Sequence, residues 1–242
     1  MMQALQKSSS WEEELDLIET TIRKKFAGQE EIEILEAGCG KSWPINLSGL
    51  KYRLTGIDLD AEALRIRKDV NNDLDEMIVG DLCTQELPPE SFHVIYSSFV
   101  LEHIENADAA LANLVKWLKP GGIMVIRIPD RDTVHGLITR LTPHWFHVLY
   151  FRLALGLKDA GKPGHAPYKT YYHPTVSRRG VRKFCEERGL RVSAEYADAF
   201  WNPGTRLFKP IIIAAKYIVS LLSLARFAAG HNNLLYIMEK DS

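Results

Sequence analysis

The stretch EILEAGCGKSWP, residues 33–44, joins a short apolar run to a pair of closely spaced glycines. The apolar run predicts a β-strand, which Glu36 closes with a carboxylate. Gly38 and Gly40 follow at once, and glycines allow a backbone to approach a ligand closely. The stretch therefore predicts a strand that runs into a ligand-binding loop, and the next question is which ligand the loop accepts.

Two familiar nucleotide-binding loops do not match these glycines. A loop of the Walker type has a glycine five residues before Gly40, and Leu35 stands there instead. A dinucleotide fingerprint has its third glycine at the position of Trp43, so that interpretation is weakened too. What remains is a strand, an acid and a Gly-x-Gly loop in front of a predicted helix.

Strand-like and helix-like segments alternate along most of the chain. The predicted strands are 31–37, 52–58, 76–80, 92–97, 123–128, 190–199 and 234–238, and the predicted helices are 10–26, 43–50, 60–71, 106–118 and 176–189. Apolar strands that alternate with helices are typical of a parallel sheet covered on both faces. The sequence therefore predicts an α/β fold with a doubly wound sheet.

Two further carboxylates follow the next two predicted strands. Asp58 ends the second strand and can accept hydrogen bonds from two ribose hydroxyls, and Asp81 ends the third and can accept one from an adenine amine. Three acids at consecutive strand ends suit a nucleoside that carries positive charge better than one that carries phosphates. S-adenosylmethionine is such a nucleoside, and a helix N-terminus after Gly40 would favour its carboxylate.

Five segments, in this order and spacing, resemble the motifs of class I S-adenosylmethionine-dependent methyltransferases of the small-molecule type, with a methyltransferase domain of the 11 or 23 kind. They are EAGCG, GIDLD, GDLCTQELP, FHVIYSSFVLEHI and LKPGGIMVI, all within residues 30–130. The resemblance implies a seven-stranded Rossmann-like sheet in the order 3-2-1-4-5-7-6, with the seventh strand antiparallel. It also implies helical inserts after strand 5 and between strands 6 and 7.

The resemblance assigns cofactor contacts to named positions. Glu36, Gly38 and Gly40 would contact the methionine part, Asp58 would hold the ribose, and Asp81 with Leu82 would hold the adenine. The implied cofactor-binding residues are Glu36, Gly38, Gly40, Asp58, Leu59, Asp81, Leu82 and Ser97. No metal ion is implied.

A methyl acceptor that reacts through oxygen usually needs a base, and histidine is a common choice. By resemblance, His103 would lie near the methyl group or the acceptor. Residues 133–175 interrupt the strand–helix alternation and contain five of the eight histidines. We take His103 and His173 as the candidate catalytic residues.

We expect one domain over residues 1–242. It would consist of an N-terminal helix within 1–29, a cofactor-binding core at 30–130, an acceptor-site insert at 131–175 and an apolar helical insert at 200–233.

Composition and cysteine usage limit the partners and the compartment. The 30 basic and 31 acidic residues give a net charge of −1, whereas proteins that bind nucleic acids usually carry a basic excess. The three cysteines form no CxxC pair, which fits a reducing compartment without a disulfide framework. No secretory signal is visible at the N-terminus. We therefore expect a cytoplasmic protein that does not bind nucleic acid.

A long apolar segment with scattered cations, residues 206–229, has two interpretations that stay open. Lys216 and Arg226 lie within it and make it unsuited to crossing a membrane. It would be either an interfacial helix that contacts a membrane peripherally, or a helix that packs on the sheet or forms a homodimer contact.

We expect the protein to transfer a methyl group from S-adenosylmethionine to a small, lipophilic or membrane-associated acceptor, at oxygen. Enzymes that methylate amino groups of nucleic-acid bases often carry an Asx-Pro-Pro-aromatic signature after the fourth strand, and this chain has SSFVLEH there. The alternatives are a non-catalytic protein that binds the cofactor or its demethylated product, and an NAD-dependent oxidoreductase.

Overall fold

A computed structural model gives the structure of the protein and describes residues 5–162, 164–198 and 209–241. In these residues the strands are β1 (Gln6–Lys7), β2 (Ile32–Ala37), β3 (Tyr52–Asp58), β4 (Glu76–Val79), β5 (Phe92–Ser98), β6 (Leu118–Pro129), β7 (Leu190–Asp198) and β8 (Asn233–Lys240). The α-helices are α1 (Trp11–Lys25), α2 (Ala61–Arg65), α3 (Ala107–Trp117), α4 (Val134–Leu141), α5 (His144–Leu153), α6 (Arg178–Arg188) and α7 (Lys209–Leu222). A π-helical turn, Ile66–Asn71, extends α2, and a 3-10 turn, Leu101–His103, follows β5.

The strands form one sheet in the order β4-β3-β2-β5-β6-β8-β7-β1. Only β8 runs antiparallel to its neighbours. The predicted seven-strand order, 3-2-1-4-5-7-6, is therefore present, with the antiparallel strand in the predicted place. The sheet has eight strands instead of seven, because Gln6 and Lys7 pair with Tyr196 and Ala197 at its edge.

The order of strands switches between β2 and β5. Connections leave in opposite directions there, so a crevice opens at the carboxyl ends of the strands, and ligands of open α/β sheets bind in such crevices. The glycine loop lies directly at this point, after β2.

Helices cover both faces of the sheet with apolar side chains. On one face α1 buries Ile18 and Ile22, and Ser10 caps its start by accepting a hydrogen bond from the Glu13 backbone. On the other face α3 buries Leu111, Leu114 and Trp117 at helical spacing, beside α6.

The predicted helix 43–50 was wrong. Ile45 and Leu47 are both buried, an alternation that belongs to extended backbone. The backbone carbonyls of Asn46 and Ser48 accept hydrogen bonds from Arg23 of α1, so α1 satisfies groups that a helix would have paired internally.

The predicted insert after strand 5 contains α4 and α5, and α4 packs against α7 of the second insert. The second insert was predicted at 200–233, and its first residues, 200–208, lie outside the described residues. Among the described helices, α7 included, none is both long and apolar enough to cross a membrane.

Candidate active site

The glycine loop stands at the carboxyl end of β2. Gly38 and Gly40 have φ angles of 73° and 55°, in the left-handed region that favours glycine. A Cβ at Gly38 would overlap the methyl carbons of Val100, which follows β5. The Gly38 N–H donates to the carbonyl of Ile57 at 2.8 Å and seats the loop against β3.

Asp58, at the end of β3, holds backbone groups on both sides. Its Oδ2 accepts a hydrogen bond from the Gly40 N–H at 2.9 Å, and its Oδ1 accepts one from the Asp60 N–H at 2.9 Å. Leu59 between these groups is 73% exposed. The carboxylate thus lies beside the glycine loop, in the place where the sequence predicts a ribose contact.

Asp81 and Leu82 follow β4, the next strand of the sheet. Asp81 is exposed, and its Oδ1 accepts a hydrogen bond from the Cys83 N–H at 2.8 Å. Leu82 is buried, and its carbonyl accepts one from the Asn113 side chain at 2.8 Å. Because β2, β3 and β4 are neighbours, the three predicted acids lie along one edge of the sheet.

Glu36 is buried against Arg67, a partner that no local sequence pattern indicates. Arg67 is fully buried and donates to Glu36 Oε2 at 2.8 Å, to the Cys39 carbonyl at 2.9 Å and to Asp73 at 2.7 Å. Burial raises the pKa of Glu36 to about 8, and the guanidinium acts against that rise. Arg67 thus connects Glu36 to the backbone of the glycine loop at Cys39. A direct contact of Glu36 with the methionine part of the cofactor stays a prediction.

Ser97 is also buried below the loop. Its Oγ donates to the carbonyl of Ala37 at 2.9 Å and so ties β5 to the last residue of β2. A cofactor contact from Ser97 likewise stays a prediction.

His103 lies in the 3-10 turn and is held by the first insert. Its Nδ1 is 2.8 Å from the carbonyl oxygen of Lys169, and the ring of Tyr168 packs edge-on against it with centroids 5.6 Å apart. The Tyr171 N–H donates to the carbonyl of Glu102 at 2.8 Å. Residues 168–172 therefore form a strap along the turn that follows β5.

His173 lies just beyond this strap and faces a different space. It lines a cavity of about 580 Å³ together with Asp108 at the start of α3 and with residues of α6, such as Lys183. Its Nδ1 is 3.8 Å from Asp108 Oδ1. Contacts among the described residues do not join His173 to His103, although both were predicted as catalytic candidates.

Arg127 near the end of β6 is a site residue that was not predicted from the sequence. Its guanidinium lies 4.4 Å from the ring centroid of Trp11 and 4.6 Å from that of Phe99. It also pairs with Glu14 at 2.9 Å and Asp198 at 2.8 Å. These partners are far apart in sequence, so no local pattern predicts the cluster. The cluster lies beside Phe99, near the carboxyl ends of β5 and β6.

S-adenosylmethionine fits the residues at this edge. The glycine loop leaves no room for a side chain at Gly38, and the carboxylates of Asp58 and Asp81, which follow neighbouring strands, could accept hydrogen bonds from ribose and adenine. Among the described residues there is no cluster of three or more potential metal ligands.

A family model described as a methyltransferase domain matches residues 35–126, from within β2 to within β6. This match covers the glycine loop, both strand-end aspartates and the 3-10 turn. This methyltransferase-domain match over residues 35–126 supports the predicted resemblance to the class I S-adenosylmethionine-dependent methyltransferases.

Curated relatives of this chain are also named as methyltransferases. A protein of Mycolicibacterium smegmatis named "Probable S-adenosylmethionine-dependent methyltransferase/" is 27% identical over 151 residues, covering 59% of this chain and 54% of its own. Phosphoethanolamine N-methyltransferase 1 of Arabidopsis thaliana is 32% identical over 99 residues, covering 39% of this chain and 20% of its own. The chain thus spans about half the length of the first relative and about a fifth of the second.

Solved structures show the same fold at low identity. A methyltransferase from Archaeoglobus fulgidus aligns with a TM-score of 0.53 at 15% identity, covering 93% of this chain and 94% of its own. The N-methyltransferase NodS from Bradyrhizobium japonicum, in complex with S-adenosyl-L-homocysteine, aligns with a TM-score of 0.55 at 17% identity, covering 94% and 87%. These structures confirm the predicted fold class, and the family match and the first relative support the predicted cofactor, S-adenosylmethionine.

Proposed function

We propose that the protein transfers the methyl group of S-adenosylmethionine to an oxygen atom of a small, lipophilic acceptor. The cofactor supplies a methyl group activated by a cationic sulfonium. The protein must place the acceptor oxygen in line with that methyl group and must accept the proton that the acceptor oxygen loses. The second task requires a base that is neutral and open to the acceptor.

The observation that carries this proposal is the hydrogen bond between His103 and Lys169. A carbonyl oxygen only accepts hydrogen bonds, so Nδ1 of His103 bears the hydrogen, and Nε2 of the neutral ring has a free lone pair. Burial lowers the pKa of His103, although the hydrogen bond to Lys169 opposes this effect, so the neutral ring dominates at neutral pH. His103 therefore has the protonation state that a general base needs.

Glu102 supports the same state of the imidazole. Its Oε1 lies 3.8 Å from His103 Nε2, and burial raises the pKa of Glu102 to about 8. At neutral pH the carboxyl group is mostly protonated, so it does not favour a charged imidazolium next to it.

Apolar surface around His103 supports a lipophilic acceptor. Tyr168 and Tyr171 of the strap are partly exposed, and so is Phe99 across the crevice. The peripheral membrane contact predicted for 206–229 stays a prediction and is not part of the proposed reaction. Homodimer formation and a cytoplasmic location stay predictions.

A phosphate-bearing amine is the second candidate acceptor. The relatives named phosphoethanolamine N-methyltransferase act, by that name, on such a compound. The cavity beside His173 favours this alternative, since its lining combines cations that could hold a phosphate with acids that could hold an amine: Arg131, Arg179, Lys183, Arg188, Asp108, Asp132 and Glu187. Nitrogen would then replace oxygen as the acceptor atom.

The test measures S-adenosylhomocysteine release by mass spectrometry with a panel of long-chain phenols and, separately, with phosphoethanolamine. We expect turnover of phenols, with kcat lowered about 100-fold or more in His103→Gln because the base is lost. The affinity of the variant for S-adenosylhomocysteine should be unchanged. His165→Gln, which changes an exposed histidine of the first insert, is the matched control. Turnover of phosphoethanolamine alone would replace the oxygen proposal by the nitrogen one.

A further inference from the structure

Helix α5 carries a continuous apolar face toward solvent. Trp145, Phe146, Leu149, Tyr150 and Leu153 recur at spacings of one and three residues, so they lie on one side of the helix. All five are exposed, Trp145 by 66% and Leu153 by 77%, and α5 has no buried residue. We call these five side chains the α5 face.

Local contacts hold α5 within its insert. Arg152 Nε donates to the carbonyl of Ala160 at 3.0 Å, and His147 Nε2 lies 2.7 Å from the hydroxyl of Thr142. These contacts tie α5 to the residues just before and after it and leave the α5 face exposed.

Neighbouring helices extend the apolar surface. On α4, Ile138 and Leu141 are exposed one turn apart, and α4 packs against α7. On α7 the exposed apolar side chains repeat the spacing of the α5 face: Tyr217, Ile218, Leu221 and Leu222. Exposed apolar side chains therefore recur on all three helices, and soluble monomeric proteins rarely expose large apolar patches without a partner.

Charge around these helices indicates the partner. Residues 133–158 and 199–238 contain none of the chain's 31 acidic residues, although its net charge is −1. The same two segments carry seven basic residues: Arg140, Arg152, Lys158, Arg206, Lys209, Lys216 and Arg226. Apolar helix faces in segments that carry lysine and arginine but no acids along the sequence suit the surface of an anionic membrane. Of these cations, Lys216 is buried and donates to Asn232.

A second copy of the chain fits this face less well. A symmetric dimer would place the same patch on both sides of the interface, so the cations around it would face one another. The anionic lipid surface instead offers opposite charge and an apolar interior for tryptophan and leucine.

We propose that the α5 face, with the adjoining surfaces of α4 and α7, docks the protein on anionic membranes. This inference does not depend on the acceptor or on the cofactor. Its failure would leave the proposed reaction untouched, and the test below needs neither compound.

The test is sedimentation of the full chain with vesicles of phosphatidylcholine, with and without added phosphatidylglycerol. We expect pelleting with the anionic vesicles, weaker pelleting without phosphatidylglycerol, and weakening by salt. The double variant Trp145→Glu/Leu153→Glu should lower the partition coefficient at least tenfold. The matched control Val70→Glu/Met77→Glu also places two acids at exposed apolar positions and should behave like the parent chain.

Circular dichroism confirms that both double variants are folded before they are compared. The proposal is overturned if the parent chain stays in the supernatant with anionic vesicles. It is also overturned if the two double variants have the same partition coefficient on those vesicles. It is also overturned if the parent chain sediments as a dimer without vesicles, does not bind them, and becomes monomeric in Trp145→Glu/Leu153→Glu, because the α5 face would then join two copies.

Discussion

Gly38 shows how a single residue sets the geometry of the cofactor edge. Its positive φ and its closeness to Val100 both require a residue without a side chain. The sequence predicted a glycine loop here from spacing alone. It could not predict the contact with Val100, because that residue is 62 positions away and reaches the loop only through the sheet.

We expect Gly38→Ala to lower the free energy of unfolding by about 3 kcal/mol, from overpacking against Val100 added to backbone strain. Gly28→Ala is the matched control: Gly28 also has a positive φ, of 86°, but no atom lies within 4 Å of the place that its Cβ would occupy. It should lose only about 1 kcal/mol. Urea unfolding of both variants measures the difference. Equal losses of unfolding free energy would mean that the Val100 side chain moves aside without an energetic cost.

At the scale of elements, local patterns predicted most strands and helices but not what holds them together. Period-two and period-3.6 patterns lie within a few residues of sequence, so β3 and α3 were placed almost to the residue. The segment 43–50 was predicted as a helix although it contains Pro44 and Gly49, and the backbone carbonyls of Asn46 and Ser48 accept hydrogen bonds from Arg23 of α1 instead. The sequence did not predict the ion-pair partners of Glu36 and Arg127 either, because those partners come from distant elements.

Helix α6 and the outer strands are joined by one carboxylate. Glu195 of β7 accepts hydrogen bonds from Arg178 and Arg182 of α6 and from Tyr236 of β8. Burial alone would raise its pKa, but these hydrogen bonds outweigh burial and lower the pKa of Glu195 to about 2. A carboxylate whose folded pKa is lowered stabilises the fold above its unfolded pKa, and that contribution is lost as the pH falls toward 2.

We therefore expect Glu195→Gln to lower the free energy of unfolding by roughly 2–4 kcal/mol at pH 7, because it leaves two guanidinium groups without their anion. The difference from the parent chain should shrink as the pH falls from about 4.5 toward 2. Glu187→Gln on the exposed side of α6 is the control and should change stability by less than about 0.5 kcal/mol. Denaturant titrations at a series of pH values measure this, and a difference that does not change with pH would contradict the electrostatic explanation.

At the scale of the whole molecule, the two halves of the crevice differ in how far the sequence predicts them. The cofactor half is built from strand ends, whose acids and glycines occur at regular spacing, so it was predicted residue by residue. In our proposal the acceptor half includes the strap beside His103 and the cluster of Arg127 with Trp11, which depend on contacts between distant segments. This division explains why the family and the cofactor follow from the sequence and the acceptor does not.

Cofactor binding should stabilise the whole fold, since the carboxyl ends of β2, β3 and β4 would share one ligand. S-adenosylhomocysteine at 100 times its Kd should add about 2.7 kcal/mol. In a chain of this length that raises Tm by about 5–10 °C. Asp58→Ala removes the predicted ribose contact, so at the same ligand concentration we expect the rise in Tm to fall by about 3–5 °C, as a tenfold loss of affinity would give.

Asp16→Ala, an exposed acid of α1, is the control for this measurement and should keep the full rise in Tm. A variant-specific loss would place the ribose at Asp58 and link the strand-end acids to one ligand. An equal rise in Asp58→Ala would mean that the carboxylate serves only its two backbone partners, the N–H groups of Gly40 and Asp60. No rise in the parent chain would contradict cofactor binding at this edge, whatever the state of Asp58.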